Sequence, residues 1–181
     1  KSSNHVQVIS GKANGVLSRL KRAAMYRNNT FVDLYKVYVR PILEANSVAW
    51  NPDKEADIKR LESVQRRALK SVNGFAEKSY EERLKCAGLP TLRERREMMD
   101  LIQTYKCIEQ GIRKLPQVND RHCVNTRGAE KGNLVKEKCR TNARKHFFDN
   151  RVVNTWNSLP IEIRQSKTVE IFKVKIKEFY K

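Results

Sequence analysis

Apolar residues at Val6, Ile9, Ala13, Val16, Leu17, Leu20 and Ala24 recur at three- and four-residue steps, the spacing of one face of an α-helix ending near Ala24. Arg19 and Arg22 fall off that stripe. Gly11 and Gly15 lie within the same helix, and each costs a helix about 1 kcal/mol relative to Ala, so this helix depends on packing rather than propensity. The RNNT turn follows, and Thr30 is the expected N-cap of a second helix carrying Phe31, Leu34, Tyr35, Tyr38, Ile42 and Ala49. Pro41 removes a hydrogen bond inside that helix and should kink it.

The third helix is bounded by clear signals. Asn51 is its expected cap, Pro52 suits its first turn, Asp53 and Glu55 suit the positive end of its dipole, and Gly74 stands just past its end. Its apolar set is Ile58, Leu61, Val64, Ala68, Leu69 and Val72. At about 100° per residue, Lys59, Arg66 and Lys70 cluster on the opposite side, flanked by Arg60 and Arg67. Glu55 and Glu62 precede Lys59 and Arg66 by four residues, so the plainer reading of this stripe is a solvated face with i,i+4 ion pairs.

Two capping boxes come next, Ser79 with Glu82 and Thr91 with Glu94, and Gly88 and Gly111 end the helices they open. The longer helix should bury Met98, Leu101, Ile102, Tyr105 and Ile108. Residues 112–142 lose periodicity and read as a basic loop, with a short strand over 134–139. A helix around Phe147, Phe148, Val152, Val153 and Trp156 breaks at Pro160. A final amphipathic helix should turn Val169, Phe172, Ile176 and Phe179 inward. Trp50, Trp156 and the Phe147–Phe148 pair read as packing residues. The pattern predicts a mainly α chain, with a helical bundle over 1–112 and a basic loop followed by C-terminal helices over 113–181.

Charge adds the first functional constraint. The 181 residues carry 38 Lys and Arg against 20 Asp and Glu, a formal net charge of +18. Residues 1–40 hold eight cations and one anion, 41–112 hold thirteen and twelve, 113–146 hold ten and three, and 147–181 hold seven and four. Two strongly basic blocks on a small protein repel themselves, so a polyanion is the natural partner, with nucleic acid first. The basic segments lack the Trp, Phe and Leu face of a membrane-surface helix, and no apolar run is long enough to span a bilayer.

The chain begins KSSNHVQVIS, without an initiator Met or an apolar leader core, and reads as cut from something longer and not secreted. Cys86, Cys107, Cys123 and Cys139 show no two-residue pairing, which favours buried or free thiols in a reducing compartment. A nuclear or cytoplasmic location follows.

Catalytic constellations are hard to assemble from these residues. Asp33, Asp53, Asp57, Asp100, Asp120 and Asp149 include no adjacent pair that would hold two metal ions for phosphoryl transfer. His5, His122 and His146 are scattered, and no HExxH, GxSxG or GxxxxGK[ST] string occurs. His122 and Cys123 with Cys139 and His146 match no established zinc spacing. Neither a catalytic nor a metal-binding residue is assigned, and no cofactor is expected in this chain.

Four strings, LYKVYVRPILEANSVAWNP (34–52), DIKRLESVQRRALKSVNG (57–74), SYEERLKCAGLPTLRERREMMDLIQTYK (79–106) and FFDNRVVNTWNSLP (147–160), resemble in order the C-terminal part of non-LTR (LINE-type, jockey-like) retrotransposon reverse transcriptases. The opening HVQVISGKANGVLSRLKR is similar to the segment that follows the palm in those polyproteins. Ala45 stands where the family often has an aromatic.

The resemblance implies that the chain is the thumb and post-thumb region. The metal-binding aspartates, with their divalent metal, would belong to a palm outside it. Its implied partners are an RNA–DNA hybrid, template RNA or target DNA, and the palm and fingers of the same polyprotein. On this reading the chain is not itself an enzyme but a nucleic-acid-binding piece of an RNA-directed DNA polymerase. The alternative is a free-standing or host-derived helical RNA- or DNA-binding module. Candidate nucleic-acid contacts are Arg19, Arg22, Lys59, Arg60, Arg66, Arg67 and Lys70 in the bundle. In the second block they are Arg127, Lys131, Lys136, Lys138, Arg140 and Arg144. A-form-like hybrids present regular phosphates that helices can track without reading bases, and the second block lacks aromatics for stacking.

Overall fold

The apolar stripe of the first segment needs a partner surface, and α1 (Ser2–Ala23) finds it on α5 (Glu55–Lys70). The computed structural model describes residues 2–24, 27–111, 115 and 133–180. It is mainly helical, and the chain divides into two units, Lys1–Arg96 and Glu97–Lys181. The division falls inside a helix rather than at the expected boundary after residue 112.

In the first unit Val6, Ile9, Ala13 and Leu17 are buried, and Val16, Leu20 and Ala24 pack partly buried against the same core. Across from them lie Leu61, Val64, Ala68 and Leu69 of α5. Ile58, expected inside, is only partly buried, whereas Asp57 and Gln65 are buried. Both polar residues fall in the apolar arc of the helix at about 100° per residue. The Ser3 hydroxyl donates to Asp57 Oδ2 at 2.6 Å, and Lys21 Nζ reaches the Arg67 carbonyl at 3.4 Å. The N-terminal ends of α1 and α5 therefore meet, as do their C-terminal ends, so the two helices run parallel.

The return between them is not the single helix expected over residues 31–49. α2 (Asn29–Leu34) is capped by Asn28, whose Oδ1 accepts from the Thr30 N–H, so Asn28 and not Thr30 is the N-cap. A π-helical turn follows at Tyr35–Val39, in which the Arg40 N–H donates to the Tyr35 carbonyl five residues back. Pro41 has no N–H, and the hydrogen-bond register widens just ahead of its ring before α3 (Arg40–Glu44) begins. Asn46 then takes a left-handed φ of 53°, a conformation Asn tolerates, and opens α4 (Ser47–Trp50).

Asn51 closes α4, its N–H donating to the Ser47 carbonyl, and so is not available to cap α5. Lys54 holds that cap position without a side-chain bond. Trp50 packs partly buried, its Nε1 donating to the Ala45 carbonyl at 2.7 Å and its ring meeting His5 edge-on.

A polar chain runs through the core of this unit. The Tyr35 hydroxyl donates to Gln65 Oε1 at 2.8 Å, and Gln65 Nε2 donates to the Pro90 carbonyl at 3.0 Å and toward the Tyr80 hydroxyl at 3.3 Å. Tyr80 in turn donates to Glu62, which also accepts from the Leu92 N–H. Gln65 is 0% exposed, and the two bonds its amide nitrogen donates and the one its oxygen accepts compensate its desolvation. α6 (Tyr80–Ala87) opens on the expected Ser79–Glu82 box and ends at Gly88 with φ 60°. α7 (Leu92–Glu109) opens on the reciprocal Thr91–Glu94 pair. Arg95 forms a two-point ion pair with buried Glu44, tying α7 to α3.

The second unit packs α7 residues Met98, Leu101 and Tyr105 with α9 (Phe148–Asn157), α10 (Ile161–Arg164) and α11 (Val169–Phe179). Tyr105 stacks on Phe172 at 4.4 Å between centroids, Trp156 lies 6.0 Å from the same ring, and the Tyr105 hydroxyl donates to the Ser166 carbonyl. Phe148 is buried and its neighbour Phe147 exposed, so that pair divides. Phe179, expected inward, is 50% exposed. Asp100 and Arg151 join α7 to α9 through two 2.8 Å bonds.

Among the described residues the expected strand over 134–139 is reduced to one bridge residue, Leu134. The segment is instead clasped to α9. The Asn157 amide bonds both the N–H and the carbonyl of Leu134 at 2.9 Å, and Asn150 Oδ1 accepts from the Glu137 N–H at 3.1 Å. Seven helical residues rise about 10.5 Å and three extended residues span about 10 Å, so the two amides match the segment's repeat, running antiparallel to it. α8 (Asn142–Lys145), capped by Thr141, links the segment to α9.

Replacing Asn157 by Ala strands the Leu134 N–H and carbonyl together. Asn157→Ala should lower stability by about 1–3 kcal/mol in urea denaturation, well beyond Asn154→Ala, whose side chain is exposed.

Candidate nucleic-acid interface

α5 places Lys59, Arg60, Arg66, Arg67 and Lys70 on one exposed side, as its periodicity requires once Leu61, Val64, Ala68 and Leu69 are buried. The stripe from Lys59 to Lys70 is about 16 Å long. The i,i+4 pairing that would reduce it to an ordinary solvated face is not formed. Glu62 turns to Tyr80 and the Leu92 N–H instead of Arg66. Among the described residues none of the five cations is within ion-pair distance of a carboxylate.

Arg66 is held from the other side. Its guanidinium lies 4.7 Å from the centroid of the Tyr80 ring, and the Tyr80 hydroxyl is anchored on Glu62. A guanidinium stacked on an aromatic face keeps its N–H edges available while losing side-chain freedom. Burial, then the hydrogen bond and charge of Glu62, push the Tyr80 phenol well above the ordinary tyrosine value. Burial, then Glu44 and Glu62, do the same for Tyr35. Both phenols therefore stay protonated donors.

On α1, Arg19 and Arg22 are exposed as expected, and so is Lys12. Sequence reasoning missed two further cations. Lys21 and Arg27 stand, half-buried, where α1 and α5 end together. The available signal was Lys21's position four residues after Leu17, at the margin of the apolar stripe.

In the second unit Lys136, Lys138, Arg140 and Arg144 are exposed. They are not equivalent. Arg144 is ion-paired with Glu137 at 2.6 Å and lies 5.4 Å from the Phe147 ring centroid, and Lys136 Nζ is 3.4 Å from Asn154 Oδ1. Lys138 and Arg140 have no ion-pair partner among the described residues. Arg127 and Lys131 lie outside the described residues, as do His122 and Cys123. Of the remaining cysteines, Cys107 is buried, Cys139 partly buried and Cys86 exposed, all as free thiols.

Among the described residues no group of three or more His, Cys, Asp or Glu side chains could hold a metal ion. No described helix is long and apolar enough to cross a membrane.

Comparison with known proteins adds little chemistry. No family model matches the chain and no solved structure matches it. It is similar to an uncharacterized protein of Caenorhabditis elegans, 28% identical over 120 residues, covering 64% of this chain and 60% of the relative's length.

The tyrosine network makes a pH dependence. Below about pH 10 both phenols are protonated folded or unfolded, and their contribution is intact; above it the unfolded chain releases protons the folded chain retains, so stability falls. The slope approaches about 1.4 kcal/mol per pH unit per tyrosine. Urea denaturation between about pH 9 and pH 11 should show this decline, and Tyr35→Phe should make it shallower.

Proposed function

We propose that this chain is a nucleic-acid-gripping module, the thumb and adjoining C-terminal part of a retrotransposon-type reverse transcriptase, which holds the RNA–DNA hybrid by its phosphates. The observation that carries the reading is the α5 stripe: five exposed cations along about 16 Å of one helix, with no carboxylate paired to them among the described residues. Such a stripe costs self-repulsion unless an anion of comparable charge spacing faces it. A nucleic-acid backbone has that spacing, and phosphate contacts carry no sequence information, as a sequence-neutral grip requires.

The order of the four strings supports assigning the grip to a polymerase thumb, with nucleotide addition in a palm outside this chain. The α1 cations Lys12, Arg19 and Arg22 extend the same kind of surface. In the second unit Lys138 and Arg140 are the better candidates for contact with template RNA or target DNA, because Glu137 already neutralises Arg144.

The chain should bind a short RNA–DNA hybrid with a steep salt dependence, each neutralised phosphate contributing about −0.9 to the slope of log K against log[salt] on B-form duplex, with other forms differing. Fluorescence anisotropy that shows no loss of affinity between low and moderate salt would falsify the phosphate grip.

Reversal of Lys59, Arg66 and Lys70 to Glu should weaken hybrid binding by at least about tenfold and flatten the salt slope by about 2–3, with the helical circular dichroism signal retained. Unaltered affinity in that variant would reduce the stripe to a solvated face.

A further inference from the structure

The second basic block has no Phe, Tyr or Trp of its own, but Phe147 stands directly after it and the fold leaves its ring outside. Its neighbour Phe148 turns into the core, whereas Phe147 is 43% exposed. A single exposed apolar residue is ordinary on a protein surface. What distinguishes this ring is how firmly its backbone is held and which charges lie beside it.

Phe147 is the N-cap residue of α9. Its carbonyl accepts from the N–H groups of Asn150 and Arg151 at 3.0 Å, and its own N–H donates to the Arg144 carbonyl at 3.3 Å. Asn150 Nδ2 donates to that same Arg144 carbonyl and to Cys139 Sγ, and its Oδ1 accepts from the Glu137 N–H, so residues 137–139 are bound to the turn that presents the ring. Glu137 also pairs with Arg144, whose guanidinium carbon lies 5.4 Å from the Phe147 ring centroid, within cation–π range. Lys138 and Arg140, on either side of Cys139, and Lys145 are exposed and have no carboxylate partner among the described residues. An exposed aromatic ring, a guanidinium fixed beside it and three unneutralised cations are thus gathered on one stretch of the second unit.

We propose that Phe147 is a base-stacking residue and forms, with Arg144 and the cations Lys138, Arg140 and Lys145, a binding site for single-stranded nucleic acid. Every base has a π face that an aromatic ring can stack on, and an unpaired strand exposes those faces while a duplex keeps them in its own stack. The phosphates on either side of a stacked base supply the negative charge that the three cations lack. An anionic membrane asks for a broad apolar helix face, and one ring at the start of α9, preceded by the polar stretch 140–146, does not supply it. The proposal rests on the nucleic-acid reading above and deepens it, giving the unpaired strand to the second unit; it does not depend on the α5 stripe.

The test uses the full chain and two labelled single strands of equal length and charge, an oligouridylate and an oligonucleotide whose central positions carry no base. Both present the same phosphates, so fluorescence anisotropy should show the oligouridylate binding about tenfold tighter through stacking alone. Phe147→Ala should lose that preference, and so should Phe147→Leu, which keeps an apolar side chain but no ring. Phe147→Tyr should keep it. These three variants should leave the slope of log K against log[salt] unchanged, because no charge is removed. Lys138→Gln with Arg140→Gln should instead flatten the slope by about 0.7 for each charge removed on a single strand.

Equal affinity of the wild-type chain for the two strands, or a preference that survives in Phe147→Ala, overturns the site, and the wild-type comparison decides the first of these without any variant. If the preference is absent and Phe147→Ala instead weakens binding to phosphatidylserine vesicles, the ring belongs to a membrane contact and the base site falls. A last arm adds an RNA–DNA hybrid, whose affinity Phe147→Ala should leave intact; an equal loss there overturns the assignment to an unpaired strand. Hybrid binding without a base preference sinks the site and leaves the duplex grip standing, whereas a Phe147-dependent base preference without hybrid binding leaves the site and sinks the grip.

Discussion

The parallel packing of α1 on α5 is the constraint around which the first unit is built. Parallel neighbours cannot be joined by a short turn, so the chain must travel back along the bundle between them. It does so in pieces: α2, a π turn just ahead of Pro41, α3, and a left-handed Asn46 that turns into α4. Each break has a local cause, and together they bring the Tyr35 hydroxyl to Gln65 and Glu44 to Arg95. Because both long helices point the same way, their negative dipole ends coincide, and Lys21 and Arg27 donate to backbone carbonyls there.

The polar chain from Tyr35 through Gln65 and Tyr80 to Glu62 couples that core to the surface. It holds Glu62 away from Arg66, and it sets the Tyr80 ring under the Arg66 guanidinium. The same residue types could have formed the i,i+4 pairs of an unremarkable helix. The availability of the α5 cations thus depends on a buried glutamine about one and a half turns from either end of the stripe, and on a capping box that positions Tyr80 at the start of α6.

The second unit solves a different problem, holding a polar extended segment in the absence of a sheet. Asn150 and Asn157 lie two helical turns apart on one side of α9 and supply the backbone bonds a neighbouring strand would have made. The asparagine-rich FFDNRVVNTWNSLP string is accounted for by this clasp and by the burial of Phe148, Val152, Val153 and Trp156. Its chemistry is that of a fastener.

Helical class, the two capping boxes, the burial of Leu61, Val64, Ala68, Phe172 and Ile176, and the exposure of the α5 cations were all determined by the sequence itself, because periodicity of 3.6 residues and cap chemistry act within a few residues of chain. Asp57 and Gln65, polar residues inside an apolar arc, signalled buried partners without naming them. Who those partners are was decided only by the tertiary structure, as were the π turn's relation to the Tyr35 contact, the replacement of a strand by asparagine clasps, and the meeting of Lys21 with the Arg67 carbonyl. The physical reason is distance along the chain: Ser3 with Asp57, Tyr35 with Gln65, Lys21 with Arg67 and Leu134 with Asn157 are contacts between residues far apart in sequence, and no local pattern encodes which distant donor will satisfy a given acceptor.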